Sequence, residues 1–160
     1  NSVCSLLKKF LPERQNYSQI FNATNAFIDL LTFQDESKND YWMEGYVKWE
    51  IGVLSSIGFS LDLNRCAVTG SDTNLLFVSP KTGKAVSKEG AGRHAPRLLL
   101  LPSFLGGDNV IGSNFYKEIL AGLNITTYFF KNKLLLSINT NKPINLPNPR
   151  IRFVELIEKL

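Results

Sequence analysis

The residues best suited to chemistry lie in the stretch RCAVTG, residues 65–70. A zinc knuckle has the pattern Cys-x-x-Cys-Gly, in which two thiolates bind one metal ion and the glycine turns the chain so that both sulfurs point inward. Here Cys66 occupies the first ligand position, Thr69 stands in the second, and Gly70 follows. A threonine hydroxyl is a poor zinc ligand beside a thiolate. The stretch therefore has the outline of a zinc knuckle with its second cysteine missing.

The chain has two cysteines and one histidine, which limits the catalytic chemistry it can carry. The spacing of Cys4 and Cys66 gives no sign of a disulfide, so we expect unpaired buried thiols of a cytosolic protein. Ser-His-Asp or Cys-His catalysis would have to use His94, which lies in the basic stretch 90–97, and no Gly-x-Ser-x-Gly sequence occurs. The residues around Gly83 do not complete a phosphate-binding loop. The sequence therefore predicts no active site and no cofactor, and thus a protein that is not an enzyme.

Basic residues are concentrated after the knuckle-like stretch. The net charge of the chain is +4, although residues 1–80 carry six basic and nine acidic side chains. Against Glu89 alone, residues 81–97 carry five basic side chains: Lys81, Lys84, Lys88, Arg93 and Arg97. Such a cluster can bind phosphates by releasing counterions. A solvated lysine-rich hairpin explains the charge about as well.

The length and composition are typical of a single globular domain. A chain of 160 residues with 44% hydrophobic and 20% charged residues can bury a sizeable core. No apolar run approaches the roughly 20 residues that a membrane span needs, so we expect no membrane association. Because the chain begins at Asn1 without a methionine or a signal-peptide pattern, we expect it to be a fragment cut from a longer protein.

Hydrophobic periodicity predicts a mainly helical fold with one small inserted β-hairpin. Apolar residues at helical spacing predict helices over 2–11, 17–33, 41–57 and 114–130, and a last helix from 150 with Asn148 as N-cap and Pro149 in its first turn. The period changes around Leu75–Phe77 and Ala85–Val86, which predicts two short strands joined by a turn at Pro80–Gly83. Residues 90–97 are predicted to be loop.

The helix predicted over 41–57 has an apolar stripe wide enough to be largely buried, formed by Met43, Tyr46, Val47, Leu54 and Ile57 and widened by Trp42, Trp49 and Val53. Gly58 fits its C-terminal end. Glu50 falls inside the stripe, where a carboxylate cannot remain ionised without a partner. We expect Glu50 to accept hydrogen bonds from backbone amides or from Arg65, in a structural and not a catalytic role.

Several stretches together resemble one bacterial family. They are Trp49-Glu50, LSSIGF (54–59) and LDL (61–63) leading to Cys66 and Gly70, then FVSPKTGKAVSKEG (77–90), and before them LLKKFLPER (6–14). In this combination the chain resembles the RecO family of DNA repair proteins over most of residues 5–100. The last 60 residues match only in helical character.

The resemblance implies that residues 1–160 are a RecO-like C-terminal helical domain, in which 58–97 form a degenerate zinc-knuckle-like insertion and 98–160 a C-terminal helical part. The OB-fold that family members carry before this domain is absent from the sequence. Family members are cytoplasmic recombination mediators of the RecFOR type. They bind single- and double-stranded DNA, anneal complementary strands and, with RecR, help to load RecA onto strands coated by single-stranded DNA-binding protein (SSB). With this resemblance, we predict that the five basic residues of 81–97 contact the DNA backbone. The alternative is a helical interaction module whose basic hairpin binds RNA or an acidic protein.

The resemblance also implies positions for two sites. In zinc-containing members two Cys-x-x-Cys pairs bind the metal, and these positions fall here on Cys66, Thr69, Ser87 and Gly90. Because one ligand of four remains, we expect the turn and hairpin to persist without metal. The family's basic-aromatic-Glu element suggests a site for the acidic SSB C-terminal tail on the helix 41–57, formed by Tyr46, Lys48, Trp49 and Ile51. Lys48 would bind the terminal carboxylate, and the apolar residues would form a slot for the last side chain.

Overall fold

The computed structural model describes residues 2–11, 13–32, 40–108, 114–132 and 145–160. Within these ranges the chain forms six α-helices and one small sheet, so the predicted fold class is confirmed. The helices are α1 (Ser2–Phe10), α2 (Ser18–Thr32), α3 (Trp42–Ser56), α4 (Lys88–Ala91), α5 (Phe115–Asn132) and α6 (Asn148–Ile157). The strands are β1 (Leu75–Val78), β2 (Ala85–Ser87) and β3 (Leu99–Leu100). No helix in the described ranges combines the length and the apolar character needed to cross a membrane.

Helix α3 is the centre of the helical part, as its wide apolar stripe predicts. Seven of its residues are buried: Met43, Tyr46, Val47, Trp49, Glu50, Val53 and Leu54. α2 packs along one side of α3 and α5 along another. α3 ends just before Gly58, as the sequence predicts. Gly58 has a φ of 94°, a backbone conformation that favours glycine.

The remaining helices close the core around α3. α1 packs against α6, and α5 contacts both α3 and α6. The rings of Phe10 and Phe130 stack with centroids 4.9 Å apart, which joins α1 to α5. The predicted helices 2–11, 17–33 and 114–130 correspond to α1, α2 and α5, although residue 33 lies outside the described ranges. The last helix begins at Asn148, with Pro147 and not Asn148 as its N-cap and with no side-chain cap, so the predicted cap is wrong by one residue.

The predicted hairpin is present, and a third strand extends it into a three-stranded sheet. β1 and β2 pair antiparallel with Phe77 opposite Val86, and β3 pairs with the other edge of β1 to give the order β2-β1-β3. On the outer side of β2, Asp62 forms a parallel bridge with Lys84. The segment before the hairpin is therefore tied to its second strand.

Residues 90–97 are not the loop that we predicted. α4 begins at Lys88, and a 3₁₀ helix follows over Gly92–Arg97. The side chain of Ser87 caps α4 by accepting a hydrogen bond from the backbone N–H of Gly90 at 3.1 Å. A four-residue helix gives too short a periodic signal to be recognised among glycines and a proline.

Candidate functional site

The helix that carries the predicted tail site is fixed by a buried ion pair. Arg150 donates from Nε to Glu50 Oε1 at 3.0 Å and from Nη2 to Glu50 Oε2 at 3.1 Å. Glu50 is fully buried and Arg150 is 1% exposed. The expectation that Glu50 is paired with backbone amides or Arg65 is therefore wrong, since its partner lies 100 residues away on α6 and Arg65 is exposed. The bidentate geometry is the strongest that a guanidinium can offer a carboxylate.

Two further groups complete this network. The Thr126 hydroxyl donates to Glu50 Oε2 at 2.5 Å, and Arg150 Nη2 donates to the Leu123 carbonyl at 3.0 Å. Nearby, the Tyr46 hydroxyl forms a short hydrogen bond with Ser2 Oγ. Burial, reinforced by the charge of Glu50, raises the pKa of Tyr46 well above its usual value. The network joins α3, α5 and α6 and assigns Glu50 a structural role.

An apolar groove of about 290 Å³ lies between α2 and α3, and Lys48 is on its edge. Its lining is formed mostly by small or apolar side chains of the two helices: Ala23, Ala26, Phe27, Leu30, Gly45, Lys48 and Trp49. A Cβ atom at Gly45 would lie 2.5 Å from Leu30 Cδ2, so the glycine permits this close approach of α2 to α3. Lys48 is exposed, and its Nζ lies 5.8 Å from the centroid of the Phe104 ring, within cation–π range.

The four residues predicted for the tail site are not together on one surface. Lys48 and Trp49 both line the groove, although Trp49 is 3% exposed and its indole N–H donates to Thr24 Oγ1 at 3.0 Å. Tyr46 is also 3% exposed and lines a different cavity, beside Ser2 and Phe153. Ile51 is half-buried and lines neither. The groove residues of α2 were missed, because the sequence of α3 does not show which helix covers it.

The four positions of the knuckle-like insertion do lie together. Cys66 Sγ accepts hydrogen bonds from the backbone N–H groups of Ser87 at 3.2 Å and of Val68 and Thr69 at 3.4 Å. The hydroxyls of Thr69 and Ser87 are 3.5 Å apart, and a Cβ atom at Gly90 would lie 2.9 Å from Cys66 Sγ. In the described ranges no group of three or more His, Cys, Asp or Glu residues is arranged to hold a metal ion. The sulfur of Cys66 is thus held by N–H donors.

These donors change the acidity of Cys66. Burial raises the pKa of the thiol, but the hydrogen bonds from Ser87 and Thr69 stabilise the thiolate and lower the pKa to about 6. A zinc ion stabilises a thiolate in the same way, by placing positive charge beside the sulfur. Cys66 is 3% exposed, so its sulfur is a buried structural group.

The five predicted DNA-binding residues are all exposed but form two groups. Lys81 and Lys84 lie at the turn between β1 and β2, whereas Lys88, Arg93 and Arg97 lie at the opposite end of the hairpin, in α4 and the 3₁₀ helix. Lys84 Nζ is 3.9 Å from Asp62 Oδ2, and both side chains are about half exposed, so the pairing is weak. His94 is exposed between the basic residues of the second group.

Fold and site define a mainly helical domain with a knuckle-like hairpin, two exposed groups of basic residues and an apolar groove. The chain belongs to the family described as "Recombination protein O C terminal", whose model matches residues 1–142. It is 39% identical over 159 residues to the DNA repair protein RecO of Ruegeria sp. (strain TM1040) and 40% identical over 159 residues to that of Cereibacter sphaeroides (strain ATCC 17029 / ATH 2.4.9). These matches cover 99% of this chain and 61% and 62% of the relatives.

A third relative gives the same result. The chain is 38% identical over 145 residues to the DNA repair protein RecO of Wolbachia pipientis, which covers 89% of this chain and 58% of that relative. The chain therefore spans about three fifths of the length of these relatives, in their C-terminal region. No solved structure matches the chain significantly. The family resemblance predicted from residues 5–100 is confirmed.

Proposed function

We propose that this domain is the protein- and DNA-binding part of a recombination mediator that acts in the cytoplasm by binding and not by catalysis. In this role it binds the SSB C-terminal tail, RecR and single- and double-stranded DNA, and so assists strand annealing and RecA loading. Membership of the recombination protein O family supports the general role. The observation that carries the proposal is the apolar groove with an exposed lysine at its edge.

The groove suits a peptide that ends in an apolar residue with a free carboxylate. Ala26, Phe27 and Leu30 provide an apolar surface for the last side chain, and Lys48 provides a cation for the terminal charge. A lysine contacts a carboxylate as a point charge and lacks the bidentate fork of arginine, so moderate affinity is expected. Tyr46 and Trp49 then act by holding the shape of α3, because their rings are buried.

Lys48→Glu is expected to weaken binding of a fluorescent SSB-tail peptide by about ten-fold or more. The substitution replaces an attraction by a repulsion, each worth about 1 kcal/mol for exposed charges at contact. Fluorescence anisotropy titrations with the free-acid peptide and with its C-terminal amide measure the effect. The wild type should prefer the free acid, and Lys48→Glu should lose that preference.

Two matched variants distinguish the groove from general electrostatics. Lys117→Glu makes the same charge change at an exposed position of α5, which contributes no residue to the groove, and should leave affinity nearly unchanged. Ala26→Phe fills the groove from an exposed position and should weaken both peptides. Equal affinities of wild type and Lys48→Glu would remove the site from this groove.

The second part of the proposal is a contact between the hairpin and the DNA backbone. Because the five basic residues form two groups, each group is tested separately, with Lys81→Glu/Lys84→Glu for the turn and Lys88→Glu/Arg93→Glu for the opposite end. Each lost phosphate contact should reduce the slope of log affinity against log salt by about 0.7 for single strands and 0.9 for duplex. Unchanged affinity and slope in both double variants would make these residues a solvated surface only.

A further inference from the structure

A second cavity, which we term the turn cavity, lies between the C-terminal end of α3, the hairpin turn and α5. Its volume is about 240 Å³, and its walls include Phe59, Ser60, Thr82, Gly83 and Phe129. Pockets for drug-sized ligands are typically about 300–1,000 Å³, so the turn cavity suits a smaller group. None of the functions proposed above uses it.

Gly83 keeps the turn cavity open. Its φ of 72° favours glycine, and its N–H is fixed by a 2.8 Å hydrogen bond to the Ser79 carbonyl. A Cβ atom there would lie 3.6 Å from the ring of Phe129 and 3.0 Å from Leu61 Cδ2. Because Phe129 is 2% exposed and Phe59 is half-buried, the ring of Phe59 is the more accessible of the two aromatic walls.

The side chains around the turn cavity are suited to binding a nucleotide. Phe59 provides an aromatic surface for a base, and the hydroxyls of Ser60 and Thr82 can exchange hydrogen bonds with polar edges of a base. Lys81 and Lys84 are exposed on the turn that contributes Thr82 and Gly83 to the cavity wall. Aromatic surfaces flanked by cations are the usual means of binding single-stranded nucleic acid, because each base has a π-face and each linkage a charge.

We propose that the turn cavity accepts one unstacked base of single-stranded DNA, while Lys81 and Lys84 contact the phosphates on either side. The inference rests on the proposed DNA contact and extends it, because it assigns a base-binding role to residues that carry no charge. A base in a duplex is stacked and paired and does not reach such a cavity without being extruded. The turn of the hairpin is thereby selective for single strands, whereas the opposite basic end contacts backbone alone.

The test compares the affinity of the 160-residue chain for a thymidine oligomer and for an abasic oligomer of the same length and charge. Stacking of one base typically contributes roughly 5- to 150-fold in affinity. The wild type should bind the thymidine strand at least about five-fold more tightly. Phe59→Leu should remove most of that difference and leave the affinity for the abasic strand unchanged. Phe21→Leu serves as the matched control, because the ring of Phe21 is exposed on α2 and does not line the cavity.

A second measurement does not depend on any variant of the protein. A strand containing one 2-aminopurine should change its fluorescence on binding, and free thymidine monophosphate at high concentration should partly reverse the change. If wild type binds thymidine and abasic strands equally, with strong salt dependence, the turn cavity is excluded and the backbone contact stands. If the base preference survives Phe59→Leu in a variant whose thermal unfolding is unchanged, the base is bound elsewhere and the inference fails. If neither strand binds, both proposals fail.

Discussion

Arg150→Ala is expected to lower the free energy of unfolding by about 3–5 kcal/mol, the range measured when one partner of a buried ion pair is removed. Arg150 is 1% exposed and makes two hydrogen bonds to Glu50 and one each to Thr126 and the Leu123 carbonyl. Truncation leaves the Glu50 carboxylate buried without its cation and removes the link between α3 and α6. Urea unfolding followed by circular dichroism measures the change.

Two further variants distinguish the loss of the ion pair from a general effect of substitutions in α6. Arg152→Ala removes an exposed arginine from the same helix and should change stability by no more than about 0.5 kcal/mol. The double variant Glu50→Leu/Arg150→Met replaces the pair by apolar side chains and should be more stable than Arg150→Ala alone, because no buried charge remains. A loss below about 1 kcal/mol for Arg150→Ala, or a double variant less stable than the single one, would contradict this account of the pair.

The sequence could predict that Glu50 needs a partner but not which residue supplies it. The helical stripe from Met43 to Leu54 places Glu50 in the core by periodicity alone, and burial of a carboxylate requires compensation. Its partner is 100 residues away on α6, whose own sequence indicates a helix but not which residue Arg150 contacts. A long-range ion pair has no local signature, so the sequence did not identify Arg150 as the partner.

Local signals were sufficient for the main helices and the hairpin. The helix end at Gly58 and the turn at Pro80–Gly83 were predictable because glycine conformations and strand periods are local properties. β3 was not predictable, since two residues have no period and the strand exists only because it pairs with β1. Leu99 and Leu100 belong to a run of apolar residues, and an apolar run alone does not indicate a strand.

The spacing of residues in the sequence did not show which predicted site residues the tertiary structure brings together and which it separates. The basic residues lie within 17 positions of one another, yet the hairpin places Lys84 and Lys88 at the two ends of β2. The same hairpin brings Ser87 beside Cys66, 21 positions earlier in the chain. Similarly, Lys48 and Trp49 became part of a groove only through residues of α2, such as Ala26 and Leu30.

Cys66 is expected to make the stability of the domain depend on pH between about 6 and 9. Its folded pKa, about 6, is below the value of about 8.5 for an unperturbed thiol in an unfolded chain. A group with a lowered folded pKa contributes its full stabilisation above the unfolded pKa, and this contribution is lost as the pH falls through the folded pKa. The free energy of unfolding of wild type, relative to Cys66→Ser, should therefore rise with pH by up to about 1.4 kcal/mol per unit.

Cys4→Ser is the matched control, because Cys4 is exposed and its replacement should give a flat difference over the same pH range. In the Cys4→Ser background, the ultraviolet absorbance of the thiolate reports the ionisation of Cys66 directly and should show a midpoint near pH 6. Both measurements are made on chelator-treated protein. If zinc remains bound stoichiometrically after chelation, or if the stability difference is independent of pH, the backbone N–H groups of Val68, Thr69 and Ser87 do not take the place of a metal ion at this sulfur. A pH-dependent difference without zinc means that the knuckle-like insertion keeps its shape by hydrogen bonds to a thiolate that a metal ion would otherwise bind.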